Sequence, residues 1–138
     1  MKTSESVFVD TGAWIALALI RDPYHLRAKD VWEKLQHTKS KLFTSLPVIV
    51  ETFTFLDRNT TRDVALAWKS SLYGMKTLHK LEFTHADLEK AWVYFQKKDL
   101  HKLSIVDAIS FILMKREKIR IAFTFDHHFS SVGFRIVG

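Results

Sequence analysis

Apolar positions fall into two kinds of run along this chain. Val7-Phe8-Val9, Leu42-Phe43-Thr44 and Ile121-Ala122-Phe123-Thr124-Phe125 are short and almost unbroken. Such runs predict strands covered on both faces, as in a parallel sheet. Between them, apolar residues return at helical spacing. Trp14, Leu17, Ala18 and Ile20 make one stripe, with Gly12 at the changeover from strand to helix allowing backbone to come close to whatever sits there. Leu26, Val31, Trp32 and Leu35 make another, behind an Asp22-Pro23 helix start. Pro47 opens the most apolar helix, Val48 to Leu56. Thr60 and Asp63 are spaced as a capping box before Val64, Ala67, Trp68 and Leu72, and Gly74 ends that helix. Lys76 to Phe83 alternates loosely and predicts a third strand. Two more capping boxes follow: Thr84 with Asp87 leads into Leu88, Ala91, Trp92 and Phe95, and Ser104 with Asp107 leads into Ala108, Phe111 and Ile112. Val132 to Val137 predicts a last strand at an edge. Strands alternating with helices argue for an α/β fold, with a mostly parallel sheet of four to five strands and helices on both faces.

The 138 residues predict one domain, 1–138, and 47% hydrophobic content is enough for a real core. The chain has no Cys, which excludes a disulfide framework and thiolate metal sites. A net charge of +6 points towards a polyanion, and nucleic acid is the commonest one. Met1-Lys2-Thr3-Ser4-Glu5 is not followed by a secretory core, and no apolar run approaches the ~20 residues that span a bilayer. The expectation is a cytoplasmic protein without a membrane partner.

The candidate chemistry is a set of four carboxylates. Asp10 and Asp126 each end an apolar strand, so both reach the carboxyl edge of a parallel sheet. Asp107 lies in the first turn of its helix, and Glu51 little more than one turn past Pro47. Crossover helices begin at that same edge, where open α/β sheets bind ligands. Each acid also has a plainer reading. Asp10 caps a helix, Asp107 is the third-position acid of a capping box like Asp63 and Asp87, and Asp126 makes a turn with His127. Glu51 resists such a reading, because an unpaired carboxylate buried in an apolar helix costs several kcal/mol. Clustered carboxylates repel unless they share a proton or hold a metal. All-oxygen ligands without Cys favour Mg²⁺, with Mn²⁺ the alternative, and such an ion suits phosphodiester hydrolysis. No Gly-rich phosphate loop fits the four glycines, and there is no Gly-x-Ser-x-Gly elbow. Of seven His only His127-His128 stand together, read as solvent-exposed or as contacts to substrate phosphate. Arg21, Arg27 and Lys102 join them as candidate nucleic-acid-positioning residues.

Val9-Asp10-Thr11-Gly12-Ala13, Val50-Glu51, Leu103-Ser104-Ile105-Val106-Asp107-Ala108 and Thr124-Phe125-Asp126-His127-His128-Phe129, taken in order, resemble the PIN-domain nucleases. The resemblance is greatest to the VapC toxins of toxin–antitoxin pairs. It implies a three-layer PIN-like fold and a Mg²⁺- or Mn²⁺-dependent endoribonuclease, with metal held by Asp10, Glu51, Asp107 and Asp126. Thr11, Ser104 and Thr124 match hydroxyl positions that support the acids in that family, while Gly12 stands where many relatives carry Ser. The resemblance also implies a cognate antitoxin and a homodimer. Trp14, Trp32, Phe53 and Phe55 agree with this if the sheet cannot bury all four. An antitoxin helix in a groove there would send a basic side chain towards the acids. Three alternatives stand beside the toxin: a housekeeping PIN nuclease in RNA processing, a catalytically inactive nucleic-acid-binding module, and a phosphate-handling enzyme with Asp10 as nucleophile. Intact acids at all four positions argue against the second. Gly12, where the third would want a second Asp, argues against it.

Overall fold

The computed structural model describes residues 5–138; the expectation of no secretory leader rests partly on Met1 to Ser4, which lie outside the described residues. Five strands form one sheet: β1 (Ser6–Val9), β2 (Lys41–Ser45), β3 (His79–Leu81), β4 (Ile121–Phe123) and β5 (Arg135–Val137), in the order β3-β2-β1-β4-β5. Every neighbouring pair is parallel. β1 is central, with Phe8 level with Phe43 on one side and Ala122 on the other. Val7, Phe8 and Val9 are buried, as an unbroken apolar strand requires.

The helices are α1 (Thr11–Ala18), α2 (His25–His37), α3 (Leu46–Asn59), α4 (Arg62–Tyr73), α5 (His85–Ala91), α6 (Ile105–Arg116) and α7 (His128–Ser131), with a 3-10 segment, Trp92–Gln96, after α5. α1 packs on α2 and α3, and α3 on α4; α5 and α7 pack on α6. From β1 to β3 the chain steps one way along the sheet, then crosses back to β4 and β5. Right-handed crossovers therefore put the first group of helices on one face and the second on the other. The reversal lies between β1 and β4, and the crevice at the carboxyl ends of those two strands is where such a fold binds ligands.

Several local expectations are corrected. α2 begins at His25, and Asp22 instead accepts the Tyr24 N–H at 2.8 Å, fixing a turn before the helix. Ile20 lies beyond the end of α1, and Ile20 and Leu26 are exposed rather than part of apolar stripes. The cap of α4 is Thr61, whose hydroxyl accepts the Val64 N–H at 3.2 Å, so Thr60 and Asp63 do not form a box. β4 ends at Phe123, leaving Asp126 in the turn that follows. A side chain at Gly12 would meet nothing within 4 Å, so close backbone approach does not explain that glycine.

Beneath the crevice, buried Trp14 donates from Nε1 to Thr44 Oγ1 at 3.1 Å, and Thr44 donates to the Val9 carbonyl at 2.9 Å. This relay locks the start of α1 onto β1 and β2, immediately beside Asp10.

Candidate active site

Asp10 follows β1, and its N–H donates to the Phe123 carbonyl at 3.0 Å, carrying the β1–β4 ladder one step past the strands. Its own carbonyl accepts from Ala13 and Trp14, which starts α1. Its side chain makes no capping bond, so the cap reading of Asp10 fails. Instead Thr124 Oγ1 donates to Asp10 Oδ2 at 2.9 Å and accepts the Asp126 N–H at 3.0 Å. One hydroxyl thus joins the two strand ends. Asp10 Oδ1 is buried without a hydrogen-bond partner. Burial, followed by the charges of Glu51 and Asp126, pushes the Asp10 carboxyl up to about 7, against the help of the Thr11 amide and the Thr124 hydroxyl.

Asp107 arrives from the first turn of α6. Its N–H donates to Ser104 Oγ at 3.0 Å, but its carboxylate does not turn back to the Ser104 N–H. The chain supplies its own contrast in Asp87, which accepts the Thr84 N–H at 2.9 Å, completes the box and pairs with Arg116. Burial would raise Asp87, yet the Thr84 bond and the Arg116 charge hold it below the usual carboxylate range. Asp107 has no such partner; burial first, then the charges of Asp10 and Asp126, push it up to about 8. Opposite mutational effects are expected. Asp87→Asn removes the charge that pairs with Arg116 and weakens a buried cap, costing about 1–3 kcal/mol. Asp107→Asn is neutral or stabilising in EDTA. Thermal melts of the two variants check this, and an Asp107→Asn protein much less stable than its parent would restore the capping reading.

Asp126 Oδ1 accepts the His128 N–H at 2.9 Å, which starts α7, and lies 2.7 Å from His128 Nδ1. His128 Nε2 is 2.7 Å from the His101 carbonyl. A carbonyl only accepts, so Nε2 carries the proton, and in the neutral ring the Nδ1 lone pair faces the Asp126 carboxylate. Buried Nδ1 has no hydrogen-bond partner. At 2.7 Å the two groups either share a proton, as an ion pair, or both turn to a cation beside them, and a histidine that donates its other N–H to a carbonyl is a usual form of a metal-ligating one. Among the described residues, donor atoms of Asp107, Asp126 and His128 lie within 4.8 Å of one another. With the orphaned Asp10 oxygen near them, this cluster, in which Asp126 is only partly buried, fits a divalent cation better than it fits a metal-free core.

The other expected residues divide. Glu51 is only half-buried, which removes the argument from its burial, although its charge reaches Asp10. Thr124 and Ser104 contact the cluster as above, whereas buried Thr11 leaves its hydroxyl unpartnered. Arg21 and Lys102 are exposed, and Lys102 adopts φ 60° in the loop leading to Ser104. Arg27 donates to the Gly138 carbonyl at 2.7 Å. The two histidines separate: the His127 side chain is 82% exposed and His128 is buried, which corrects the reading of His128 as an exposed phosphate contact. Its placement beside Asp126 was missed. The available signal was the Asp-x-His spacing at a turn, which folds the third residue back onto the first.

The chain belongs to the PIN-domain family, whose model matches residues 7–135. Within that family it is similar to toxin endonucleases. It is 36% identical over 129 residues to the 23S rRNA-specific endonuclease VapC20 of Mycobacterium tuberculosis, covering 93% of this chain and 95% of that protein. The crystal structure of that VapC20, described as a Sarcin-Ricin loop cleaving toxin, superposes with a TM-score of 0.82 at 32% identity over 93% of this chain and 95% of the other. VapBC2 from Rickettsia felis, bound to a promoter DNA fragment, shares the fold at TM-score 0.70 and 11% identity, over 95% and 96% of the chains. A toxin–antitoxin complex from Klebsiella pneumoniae does so at 0.66 and 16%, over 96% of each. The expected PIN-like α/β fold is the observed one.

Proposed function

We propose that this chain is a metal-dependent endoribonuclease, the toxin of a type II toxin–antitoxin pair, acting as one domain on RNA in the cytoplasm. The observation that carries the reading is the junction of Asp10 and Asp126 through Thr124, with Asp107 and His128 donors packed against it. Asp10, Asp107 and Asp126 would hold Mg²⁺, or Mn²⁺ in its place, with half-buried Glu51 at the rim; His128 as a further ligand would favour a transition-metal ion over Mg²⁺. An ion held there would supply Lewis-acid polarisation of the phosphate, a more acidic water and charge stabilisation of the leaving oxygen. The chain does the rest. Ser104 and Thr124 fix the carboxylates, the His101 carbonyl fixes the ring of His128, and Arg21, Lys102 and His127 offer positive or hydrogen-bonding groups to the RNA backbone. The named activity of VapC20 makes a structured ribosomal RNA loop the first substrate to try.

An antitoxin partner finds support in an apolar groove of about 650 Å³, which none of the four acids lines. Trp14 forms its floor, with Trp32 at 5.7 Å and Trp68 at 6.3 Å between ring centroids, and exposed Ile20 and Val64 at its rim. Phe53 and Phe55 lie elsewhere, on α3, so the expected aromatic surface divides. Exposed Val50 and Phe55 on α3 offer a homodimer one apolar surface among several. No helix among the described residues is long and apolar enough to cross a membrane.

Expression of the chain alone should arrest growth, and Asp10→Asn should abolish the arrest. Co-expression with the small open reading frame adjoining its gene should restore growth. Unaffected growth, with purified protein that still cuts RNA, would favour the housekeeping nuclease.

A further inference from the structure

A second cavity, of about 210 Å³, has Thr124 in its lining; none of the four acids lines it, and Thr124, bonded to Asp10 and Asp126, connects it to them. Tyr24 and Phe125 line it as a parallel stack, their ring centroids 4.5 Å apart and their planes 6° from coplanar. The Arg27 guanidinium lies 5.3 Å from the Tyr24 ring centre and 5.5 Å from that of Phe125. Its bond to the Gly138 carbonyl holds it there. Gly138 has φ +133°, and a Cβ would come within 2.6 Å of the Thr124 carbonyl, so the wall closes only around a glycine. Asp22, through the Tyr24 N–H, fixes the turn that presents the tyrosine. Tyr24 remains 43% exposed, and exposed His127 completes the mouth.

The plainer account is packing: two rings covering the end of the sheet. Packing alone does not explain a half-exposed tyrosine stacked flat at the mouth of a cavity shared with Thr124, a direct partner of Asp10. We propose that Tyr24 and Phe125, with Arg27, form a subsite for one unpaired nucleobase of the RNA, adjoining the phosphate that is cut. It rests on the ribonuclease reading above. Stacking on an aromatic face tolerates every base, while Arg27 can read a base edge. The subsite requires a splayed-out base, so it selects loops and single strands over paired stems.

The test uses single-stranded RNA of about twelve nucleotides carrying one 2-aminopurine, whose fluorescence falls on stacking. Binding and quenching are measured in the Asp10→Asn background, and kcat/KM in the active chain. Tyr24→Ala and Tyr24→Leu should each weaken binding about tenfold, abolish the quench and lower kcat/KM, while Tyr24→Phe keeps all three near the parent. Tyr24→Leu retains apolar bulk, so it separates a lost π-face from a disturbed fold, and melting curves accompany each variant. If Tyr24→Leu binds, quenches and cuts like an active parent, the subsite is overturned and the nuclease stands. A parent that cuts no RNA at any metal concentration overturns both.

Discussion

Asp10→Asn and Asp126→Asn are each expected to lose RNA cleavage by at least about 100-fold, the upper end of the cost of disturbing groups that merely support a metal ligand. Asn keeps the shape of the side chain, and at position 10 it can still accept from Thr124. What it removes is the negative charge, on a buried group whose second oxygen has no protein partner. Both variants should stay folded, and Asp10→Asn should be at least as stable as the parent in EDTA, since burial already disfavours that carboxylate. Glu51→Gln is expected to cost less, because Glu51 is half-buried and outside the tight donor set. Cleavage of end-labelled RNA alongside circular dichroism checks the series. Full activity in either Asn variant, prepared free of wild-type protein, would remove the acids from the reaction.

The second large effect is on stability. In the metal-free protein Asp10 is raised to about 7 and Asp107 to about 8, both from 3.8. Groups with raised folded-state values bind protons more tightly when folded. Their contribution is complete below about pH 4 and is lost as pH rises through about 7 to 8. In EDTA the melting temperature should therefore fall between pH 5 and pH 8. Asp87, held below its ordinary value, works the other way, but its contribution is lost only under stronger acid and does not alter that window. Mg²⁺ should reverse the trend. At ten times its dissociation constant it adds about 1.4 kcal/mol at pH 8, roughly 4–5 °C for a chain of this size. At pH 5 protons compete and the shift should vanish. A flat melting profile in EDTA across this range would show that the acids are not electrostatically frustrated.

The mostly parallel sheet was within reach of the sequence, because the unbroken apolar runs Val7-Phe8-Val9 and Ile121-Ala122-Phe123 suit strands covered on both faces; the strand order was not, because nothing local fixes which strands are neighbours. The convergence of Asp10, Asp107 and Asp126 followed from where such strands and their helices end. What failed was local competition. Asp22 bonds the nearest free N–H, that of Tyr24, and so makes a turn where a helix start was expected. Thr61 outcompetes Thr60 because helix phase, not residue type, decides which hydroxyl faces the free amides. Glu51 sits among apolar neighbours in sequence, yet exposed Val50 shows that this stretch of α3 is not wholly buried. His128 and the Tyr24–Phe125 stack depend on contacts that no periodicity encodes.

Thr124 and Asp10 stand 114 positions apart. Every catalytic candidate except Asp10 and Glu51 lies at or beyond Asp107, and β1 gains its second hydrogen-bonded neighbour only when β4 arrives. During synthesis a chain missing its last quarter can pair β1 with β2 and β2 with β3, but it leaves the other edge of Val7-Phe8-Val9 open and two of the four candidate acids absent. Such a chain cannot cut, and its apolar edge is prone to aggregation and proteolysis. On the proposed reading, all four candidate acids come together only once β4 has paired with β1. Translation itself gives the cell a delay between making this chain and being exposed to it.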